Sequence, residues 1–395
     1  MDEQPNGDYE DILDLPEELQ EILQMAMENK SGFLATVERG RKGDNAGWPT
    51  SLPKLDATIH GIHRGRYYLV GADSGVGKTT LSDFIFLLQA YEYAKTHGKK
   101  FYCYYYSFEL SKQEKLARWV SYYIYLKYGR MYPSNFIMGR IHGNYPDDTD
   151  MKYIRAGYAY VSKMGECIAF REDSMHPTAI FMDVMHHYNT HGTVHRDPPA
   201  PGKEYGAVKG YDPNPGEQDS LVMFMVDHVA LVHSERSMDT KQTIDLLSRY
   251  AVATRNLFNA TWVIIQQFST DMQSWHRNAK KMSDAVIAPQ RLDFGDSKYT
   301  YRDADVVLGL VSPRMFELDS FHGYKVEDYG DFLIGLYVMK HRYGLANTLI
   351  PLFMNPVVNR FEQLPASINL AALEDYQDKT SQIETICQKY SPREA

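Results

Sequence analysis

A glycine-rich loop between two apolar runs constrains the fold of this chain more than any other segment. The β-rich run Tyr67–Val70 leads directly into the sequence GADSGVGKTT, and an apolar helix-like run follows from Leu81. Glycines let successive backbone N–H groups turn toward phosphate oxygens at the positive end of the following helix. The pattern predicts a P-loop that binds a nucleotide. Its predicted cradle comprises Ala72, Asp73, Ser74, Gly75, Val76, Gly77, Lys78, Thr79 and Thr80.

A magnesium site is predicted beside this loop. In a P-loop, a lysine at the position of Lys78 reaches the β and γ phosphates, and a hydroxyl at the position of Thr79 coordinates Mg²⁺. A carboxylate on a nearby strand must complete the metal shell, and the apolar run Leu221–Val226 ends in one acid, Asp227. Asp227 as a simple strand-end cap is the alternative. The P-loop upstream favours Thr79 and Asp227 as the metal ligands.

Alternation of strands and helices predicts the fold class. Most predicted strands are near-continuous apolar runs, which is typical of a parallel sheet covered by helices on both faces. We therefore expect an α/β core over about residues 48–365. The flanking expectations are an acidic N-terminal helix and linker over 1–47, an exposed Pro-rich insertion at about 189–219, and a C-terminal helix or tail over 366–395.

Charge and cysteine content limit the function classes. The formal net charge is −9, and residues 1–50 hold 12 acidic against 4 basic residues. An acidic total argues against a protein that coats nucleic acid with its whole surface, but not against a local basic channel. Three widely spaced cysteines favour a reducing compartment, the cytoplasm. The N-terminus resembles no signal peptide, and no apolar run has the length of a membrane span.

Clustered histidines at positions 186, 187, 191 and 195 offer a metal site as an alternative. Three of them share one face only if the helix continues past Gly192. The Pro-rich segment that follows argues against that continuation, and no cysteine or paired acid completes a zinc set. Surface histidines are the favoured interpretation.

Several motifs follow the P-loop in an order that one family shares. They are LPKLD at 52–56, YSFELS at 106–111, DHVAL at 227–231, IIQQF at 264–268, RDADVV at 302–307, MKHRYG at 339–344 and RFE at 360–362. Over about residues 48–364 the chain resembles the ATPase domain of DnaB-type replicative helicases, a RecA-like superfamily of hexameric motors. His228 stands where the family has tyrosine, and 1–47 is too short for the family's separate N-terminal domain. A phage or mobile-element origin would account for that missing domain.

The resemblance implies ATP and Mg²⁺ as cofactors and assigns roles to catalytic residues. With Lys78 on the phosphates, Glu109 would polarise the attacking water, although it could instead be the N-terminal acid of the next helix. Gln267 would contact the γ-phosphate or the water, with Gln266 as the near alternative because strand residues alternate faces.

Cations near the end of the chain receive roles in the same way. Lys340 and Arg342, two residues apart, would form a finger pair that reaches the γ-phosphate of a neighbouring subunit. A solvated cationic strand face is the alternative. Loop cations would contact single-stranded DNA, with a mixed-charge solvated loop as the alternative: Arg277, Lys280, Lys281, Arg291 and Lys298.

The predicted function is that of an ATP-dependent, ring-forming DNA helicase. Its expected partners are single-stranded DNA, further copies of itself in a hexamer, and a primase or helicase loader, with no membrane. A predicted helix near residues 11–30 carries an apolar stripe, and we expect it to latch onto a neighbouring subunit, or alternatively to pack on its own core. The rival functions are another RecA-like DNA-dependent ATPase, such as a recombinase or loader, and a non-catalytic scaffold.

Overall fold

The computed structural model describes residues 33–43, 45–202, 206–269, 287–295 and 298–391. The chain divides into two units, Met1–Gly47 and Trp48–Ala395. The predicted latch helix near 11–30 lies outside the described residues, as do Arg277, Lys280 and Lys281. In the first unit the structure describes a helix that was not predicted, α1 (Phe33–Arg41).

The strands of the second unit, in the part of the chain that the structure describes, are β1 (Tyr67–Ala72), β2 (Phe101–Ser107), β3 (Ile168–Arg171), β4 (Gly192–Arg196), β5 (Val208–Pro213), β6 (Leu221–Asp227), β7 (Thr261–Gln267), β8 (Val306–Val311), β9 (Ser320–Phe321), β10 (Tyr324–Lys325), β11 (Leu333–His341), β12 (Thr348–Asn355) and β13 (Arg360–Gln363). Nine of these described strands form one sheet with the order β13-β12-β11-β8-β1-β7-β6-β2-β3. The small antiparallel hairpins β4–β5 and β9–β10 lie outside it.

Helices cover both faces of this sheet. They are α2 (Pro53–Ile59), α3 (Lys78–Ser82), α4 (Gln89–His97), α5 (Lys112–Tyr128), α6 (Ser134–Ile137), α7 (Asp148–Gly165), α8 (Pro177–His191), α9 (Thr240–Phe258), α10 (Lys298–Asp303) and α11 (Leu370–Lys389). A π-helical segment, Asp83–Leu88, joins α3 to α4 without a break. Capping boxes start α5, α7 and α9, where a side chain accepts a hydrogen bond from the third backbone N–H of the helix.

The central strands are buried on both faces, as the apolar runs predicted. Every residue of β1 and of β6 is buried. Alternate residues of β1 belong to different cores, because Tyr68 and Val70 pack into one apolar cluster while Tyr67 and Leu69 pack into another. The predicted α/β class, with a mostly parallel sheet between two helical layers, is confirmed.

The edge strands β11, β12 and β13 depart from the parallel arrangement. β11 runs antiparallel to β8, β12 to β11 and β13 to β12. The connections between these three strands are short turns, and a parallel pair would need a crossover of a dozen or more residues. The RFE motif therefore lies on a strand, where sequence reasoning had assigned none.

The Pro-rich insertion folds as the hairpin β4–β5, with Pro198, Pro199 and Pro201 in the connecting loop, Pro213 at the end of β5 and Pro215 beyond it. The histidine expectation is wrong at one position, because His187 is 1% exposed. It accepts or donates a hydrogen bond with the Tyr104 hydroxyl at 3.2 Å and stacks on His191, whose ring centroid is 4.2 Å away. Burial, followed by the nearby His191, lowers the pKa of His187 to about 3.

Helix α8 ends at His191, so the histidines do not continue along one helical face. Within the described parts of the chain, no group of three or more metal-ligating side chains is arranged to hold a metal ion. The same described residues include no helix with the length and apolarity needed to cross a bilayer.

Candidate nucleotide-binding site

The predicted P-loop lies between the end of β1 and the start of α3. Gly75 and Gly77 have φ values of +81° and +99°, which favour glycine because side chains rarely adopt them. A Cβ atom on Gly77 would also lie 3.0 Å from the sulfur of Met354. At the loop tip a Cβ on Gly75 would meet nothing within 4 Å. The turn is therefore tightly supported at its base and open at its tip, which suits a phosphate cradle.

Asp227 and Thr79 meet at the carboxyl edge of the sheet. The Thr79 hydroxyl donates to Asp227 Oδ1 at 2.9 Å, and Asp227 is fully buried. Burial alone would raise the pKa of Asp227, but the Lys115 ammonium, the Thr79 hydroxyl and Lys78 together hold that pKa below its ordinary value. A hydroxyl beside an ionised carboxylate is the oxygen donor chemistry that Mg²⁺ prefers, so this pair fits the ion.

Glu109 lies two residues beyond the end of β2, next to Asp227. Ser107 is the register partner of Asp227, and the Phe108 N–H donates to the Asp227 carbonyl at 2.8 Å. The capping box that starts α5 uses Ser111 and Glu114. Glu109 therefore precedes the helix and is exposed, and the role of N-terminal helix acid belongs to Glu114.

The two glutamines at the end of β7 have different surroundings. Gln266 is fully buried and accepts a hydrogen bond from the Thr300 hydroxyl at 2.9 Å. Gln267 is the register partner of Ala72 at the start of the P-loop, and its side chain is hydrogen-bonded to His228. Of the pair, Gln267 is the one beside the phosphate loop.

His228 is a site residue for which sequence reasoning assigned no role. Burial and the charge of Lys78 lower the pKa of His228, against opposing effects of Asp227, Glu109 and the Gln267 hydrogen bond. The ring is therefore neutral near pH 7, and it lies among the groups predicted to handle the γ-phosphate. The available signal was its position directly after Asp227, the predicted metal ligand.

A second segment packs against the base of the P-loop. The rings of Phe268 and Phe294 meet edge to face at 5.1 Å between centroids, over Gly71. Burial raises the pKa of Asp293 to about 6. The Gln290 N–H, which donates to the Asp293 carboxylate, opposes this rise, and the negative charge of Asp73 adds to it. The segment 287–295 thus brings a second acid close to the phosphate loop.

Gly71→Ala should destabilise the protein by about 1–3 kcal/mol through overpacking. A Cβ atom there would lie 2.4 Å from Phe294 and 2.5 Å from Phe268. Urea unfolding measures the change. Gly165→Ala is the matched control, because a Cβ atom on Gly165 meets nothing within 4 Å. Equal stability of the two variants would contradict the close packing at Gly71.

Lys340 and Arg342 lie near the amino-terminal end of β8, whereas the P-loop lies at the carboxyl end of the neighbouring strand β1. Lys340 pairs with Val307 near the start of β8, whereas Ala72 pairs with Leu310 near its end. Val307 and Leu310 are three residues apart on β8, which is a distance of about 10 Å along the strand. The two cations therefore do not reach the P-loop of their own subunit.

Both cations contact carbonyl oxygens at the end of α10. Lys340 Nζ donates to the carbonyl of Arg302 at 2.7 Å, and an Arg342 Nη donates to the same carbonyl at 3.5 Å. Arg342 Nε also lies 3.4 Å from Asp305 Oδ1. Burial, followed by the charge of Arg342, lowers the pKa of Lys340 to about 8.

Of the predicted DNA-contact residues, the structure describes Arg291 fully and the backbone of Lys298. Arg291 is exposed and lies 5.9 Å from the centre of the Tyr301 ring. Lys298 is the first residue of α10, the helix whose end holds Lys340.

This architecture is similar to that of several solved structures. No family model matches the chain, and no curated protein matches it. A solved structure titled as the ATPase domain of G40P matches with a TM-score of 0.59 and 16% identity, over 84% of this chain and 97% of that one. The chain has a RecA-like α/β fold. A solved structure of a DnaB-like replicative helicase and its interactions with primase matches with a TM-score of 0.57 and 15% identity, over 84% of this chain and 66% of that one.

A KaiC-like protein from Pyrococcus horikoshii OT3 also matches, with a TM-score of 0.43 and 12% identity, over 80% of this chain and 97% of that one. At these identities the likeness concerns the fold. The RecA-like fold predicted from the motif order is confirmed, while residue roles depend on the geometry of this site.

Proposed function

We propose that this protein hydrolyses ATP with Mg²⁺ at the P-loop and uses the hydrolysis to move along single-stranded DNA as a ring-forming helicase. The observation that carries the ATPase proposal is the convergence at one sheet edge. Lys78 and Thr79 follow β1, Asp227 ends β6 and Glu109 follows β2, and the carboxyl ends of these parallel strands lie on the same side of the sheet. That edge is where open α/β sheets bind their ligands.

Each residue in this arrangement has a distinct task. The glycine-rich turn and Lys78 would bind the β and γ phosphates, and Thr79 with Asp227 would hold the magnesium ion. When bound, Mg²⁺ would neutralise negative charge that develops on the phosphates. Glu109 would orient the attacking water and accept its proton. Gln267, hydrogen-bonded to His228, would contact the γ-phosphate. When hydrolysis removes that phosphate, the contact would be lost and the segment that follows β7 would be free to move.

The helicase part of the proposal has separate support. The motifs occur in the order of the replicative helicases, and the fold is shared with a solved DnaB-like enzyme. Lys340 and Arg342 lie too far from their own P-loop to serve it, so a role in catalysis requires a neighbouring subunit. We therefore propose a homo-oligomer, a hexameric ring, with catalytic sites between subunits and with a primase or loader as a further partner.

The test measures ATP turnover with and without single-stranded DNA, together with mass in solution with ATP. We expect Mg²⁺-dependent turnover that DNA accelerates, a ring-sized mass, and displacement of a paired strand. Strand exchange without displacement would identify a recombinase instead. Turnover near zero under both conditions would contradict the ATPase proposal and favour a scaffold.

Glu109→Gln should bind ATP with Mg²⁺ normally but hydrolyse it about 100-fold more slowly, because the amide keeps the shape and loses the proton acceptor. Binding of a fluorescent ATP analogue and single-turnover hydrolysis separate the two effects. Glu114→Gln is not a suitable control because it breaks the helix cap, so Glu166→Gln, on the exposed end of α7, serves instead. A normal hydrolysis rate with weakened binding would exclude Glu109 as the residue that orients water.

A further inference from the structure

Lys115 is a fully buried lysine next to the metal site. Its side chain is 0% exposed, and it lies in the first turns of α5, which begins at Lys112. Lysine is rarely buried without a partner, and a cation near a helix N-terminus opposes the helix dipole. Neither burial nor local helix formation accounts for a lysine at this position.

Three acceptors surround the Lys115 ammonium. It lies 3.0 Å from Asp227 Oδ2 and 3.2 Å from Asp83 Oδ2, and it also donates to the Tyr105 hydroxyl. An ammonium group has three N–H donors, so each has an acceptor here. Tyr105 donates in turn to Asp83 Oδ1 at 2.6 Å, and Trp119 Nε1 donates to Asp83 Oδ2 at 3.0 Å.

The contacts fix Asp227 from two sides. Thr79 donates to Oδ1, while Lys115 donates to Oδ2. Asp83 is 4% exposed and lies in the π-helical segment, so it holds Lys115 from an element separate from both β6 and α5. The cluster contains two carboxylates and one ammonium, and one of these carboxylates, Asp227, is also bonded to Thr79, the other predicted metal ligand.

We propose that Lys115 is a positioning residue that holds the Asp227 carboxylate in the orientation that binds Mg²⁺, and that Asp83 fixes Lys115 for this task. The inference rests on the proposed nucleotide site. Groups behind a metal ligand orient it, and their loss typically weakens metal binding by about 10- to 100-fold. Lys115 is fully buried and its three N–H donors are directed to Asp227, Asp83 and Tyr105, so it would act on the metal through Asp227.

A paired substitution separates positioning from simple structural support. Lys115→Met alone would leave two buried carboxylates unpaired and would destabilise the fold. In Asp83→Asn/Lys115→Met the buried pair is neutral, and the asparagine can still accept from Trp119. We expect this protein to fold and to bind a fluorescent ATP analogue in EDTA as the unaltered chain does. We expect it to require at least about 10-fold more Mg²⁺ for half of the Mg²⁺-dependent gain in binding.

The control is Lys163→Met/Glu166→Gln, which removes an exposed ion pair, 2.6 Å between its charged atoms, at the end of α7. We expect it to change neither nucleotide binding in EDTA nor the Mg²⁺ requirement. The double substitution leaves the net charge of the cluster unchanged, so if Lys115 were only a counter-charge to Asp83, the Mg²⁺ requirement would stay that of the unaltered chain. An unchanged or lowered requirement in a folded protein overturns the inference.

Asp83→Asn alone provides a second variant if the double substitution does not fold. It leaves Lys115 bonded to Asp227 but weakens its support, so we expect a smaller increase in the Mg²⁺ requirement, and no increase would overturn the inference. An unaltered protein that binds nucleotide without any Mg²⁺ effect would instead contradict the proposed function itself.

Discussion

We expect the Lys78→Ala protein to fold normally and to hydrolyse ATP about 100- to 1,000-fold more slowly than the unaltered chain. Lys78 is the first residue of α3 and is 6% exposed, so its ammonium lies in a largely water-excluded site. Backbone amides alone would leave the charge between the β and γ phosphates poorly neutralised. Steady-state turnover at saturating ATP and Mg²⁺ measures the loss.

A lysine elsewhere on the same helical run provides the control for Lys78. Lys95→Ala removes a half-exposed ammonium from α4, and we expect turnover to stay within about twofold of the unaltered rate because surface ion pairs contribute little. Circular dichroism and thermal unfolding check that both variants fold. Unaltered turnover in folded Lys78→Ala would contradict the P-loop assignment.

Arg342→Ala should abolish most ATP turnover while each subunit still binds nucleotide. Arg342 lies beyond the strand ends opposite those that carry its own P-loop, so we expect any effect on hydrolysis to be exerted on a neighbouring subunit. An arginine supplied in trans typically contributes about 10³- to 10⁵-fold to the rate of phosphoryl transfer. Nucleotide affinity from an ATP-analogue titration should stay unchanged, which separates this variant from one that damages the P-loop.

Mixing two inactive variants tests the trans arrangement directly. Lys78→Ala subunits provide an intact Arg342, and Arg342→Ala subunits provide an intact P-loop. In an equal mixture, random assembly pairs an intact P-loop with an intact arginine at about one quarter of the interfaces. We expect recovery of activity on that scale. The double variant Lys78→Ala/Arg342→Ala, mixed with either single variant, should restore none.

The mixture must be shown to contain oligomers of both variants, by mass measurement of differently tagged subunits. Absence of recovery in such mixed oligomers would contradict the trans role of Arg342. Its contacts with α10 would then be explained as purely structural.

Most residues of the candidate site were predicted from local sequence patterns. The P-loop follows from a strand, a loop and a helix that adjoin in sequence, and Asp227 follows from the separate apolar run that it ends, because glycine placement and apolar runs are local signals. The choice between Gln266 and Gln267 needed register. Alternation on β7 makes one of them face the interior, but sequence alone does not say which.

The buried cluster around Lys115 was not predictable in the same way. Its members come from the π-helical segment, β2, α5 and β6, and only the folded sheet brings them together. One signal was present, because Asp83 is the lone charged residue in the apolar run 81–90. A single acid in such a run indicates a buried partner without identifying it. The burial of His187 was not predictable for a similar reason. Stacking on His191 and a hydrogen bond to Tyr104 compensate for that burial, and both contacts depend on the folded structure.

The antiparallel pairing of β11 with β8 gives each subunit two unlike ends, a P-loop at one and Arg342 at the other. With Arg342 acting in trans, subunits join head to tail, and such contacts either close on themselves or continue as an open stack. An open stack carries one terminal P-loop that no arginine completes. A closed assembly has no such end. A subunit that lacks Arg342 would thus silence the site of the one neighbour it serves while its own site continues to turn over, so the loss falls on one side of the altered subunit only.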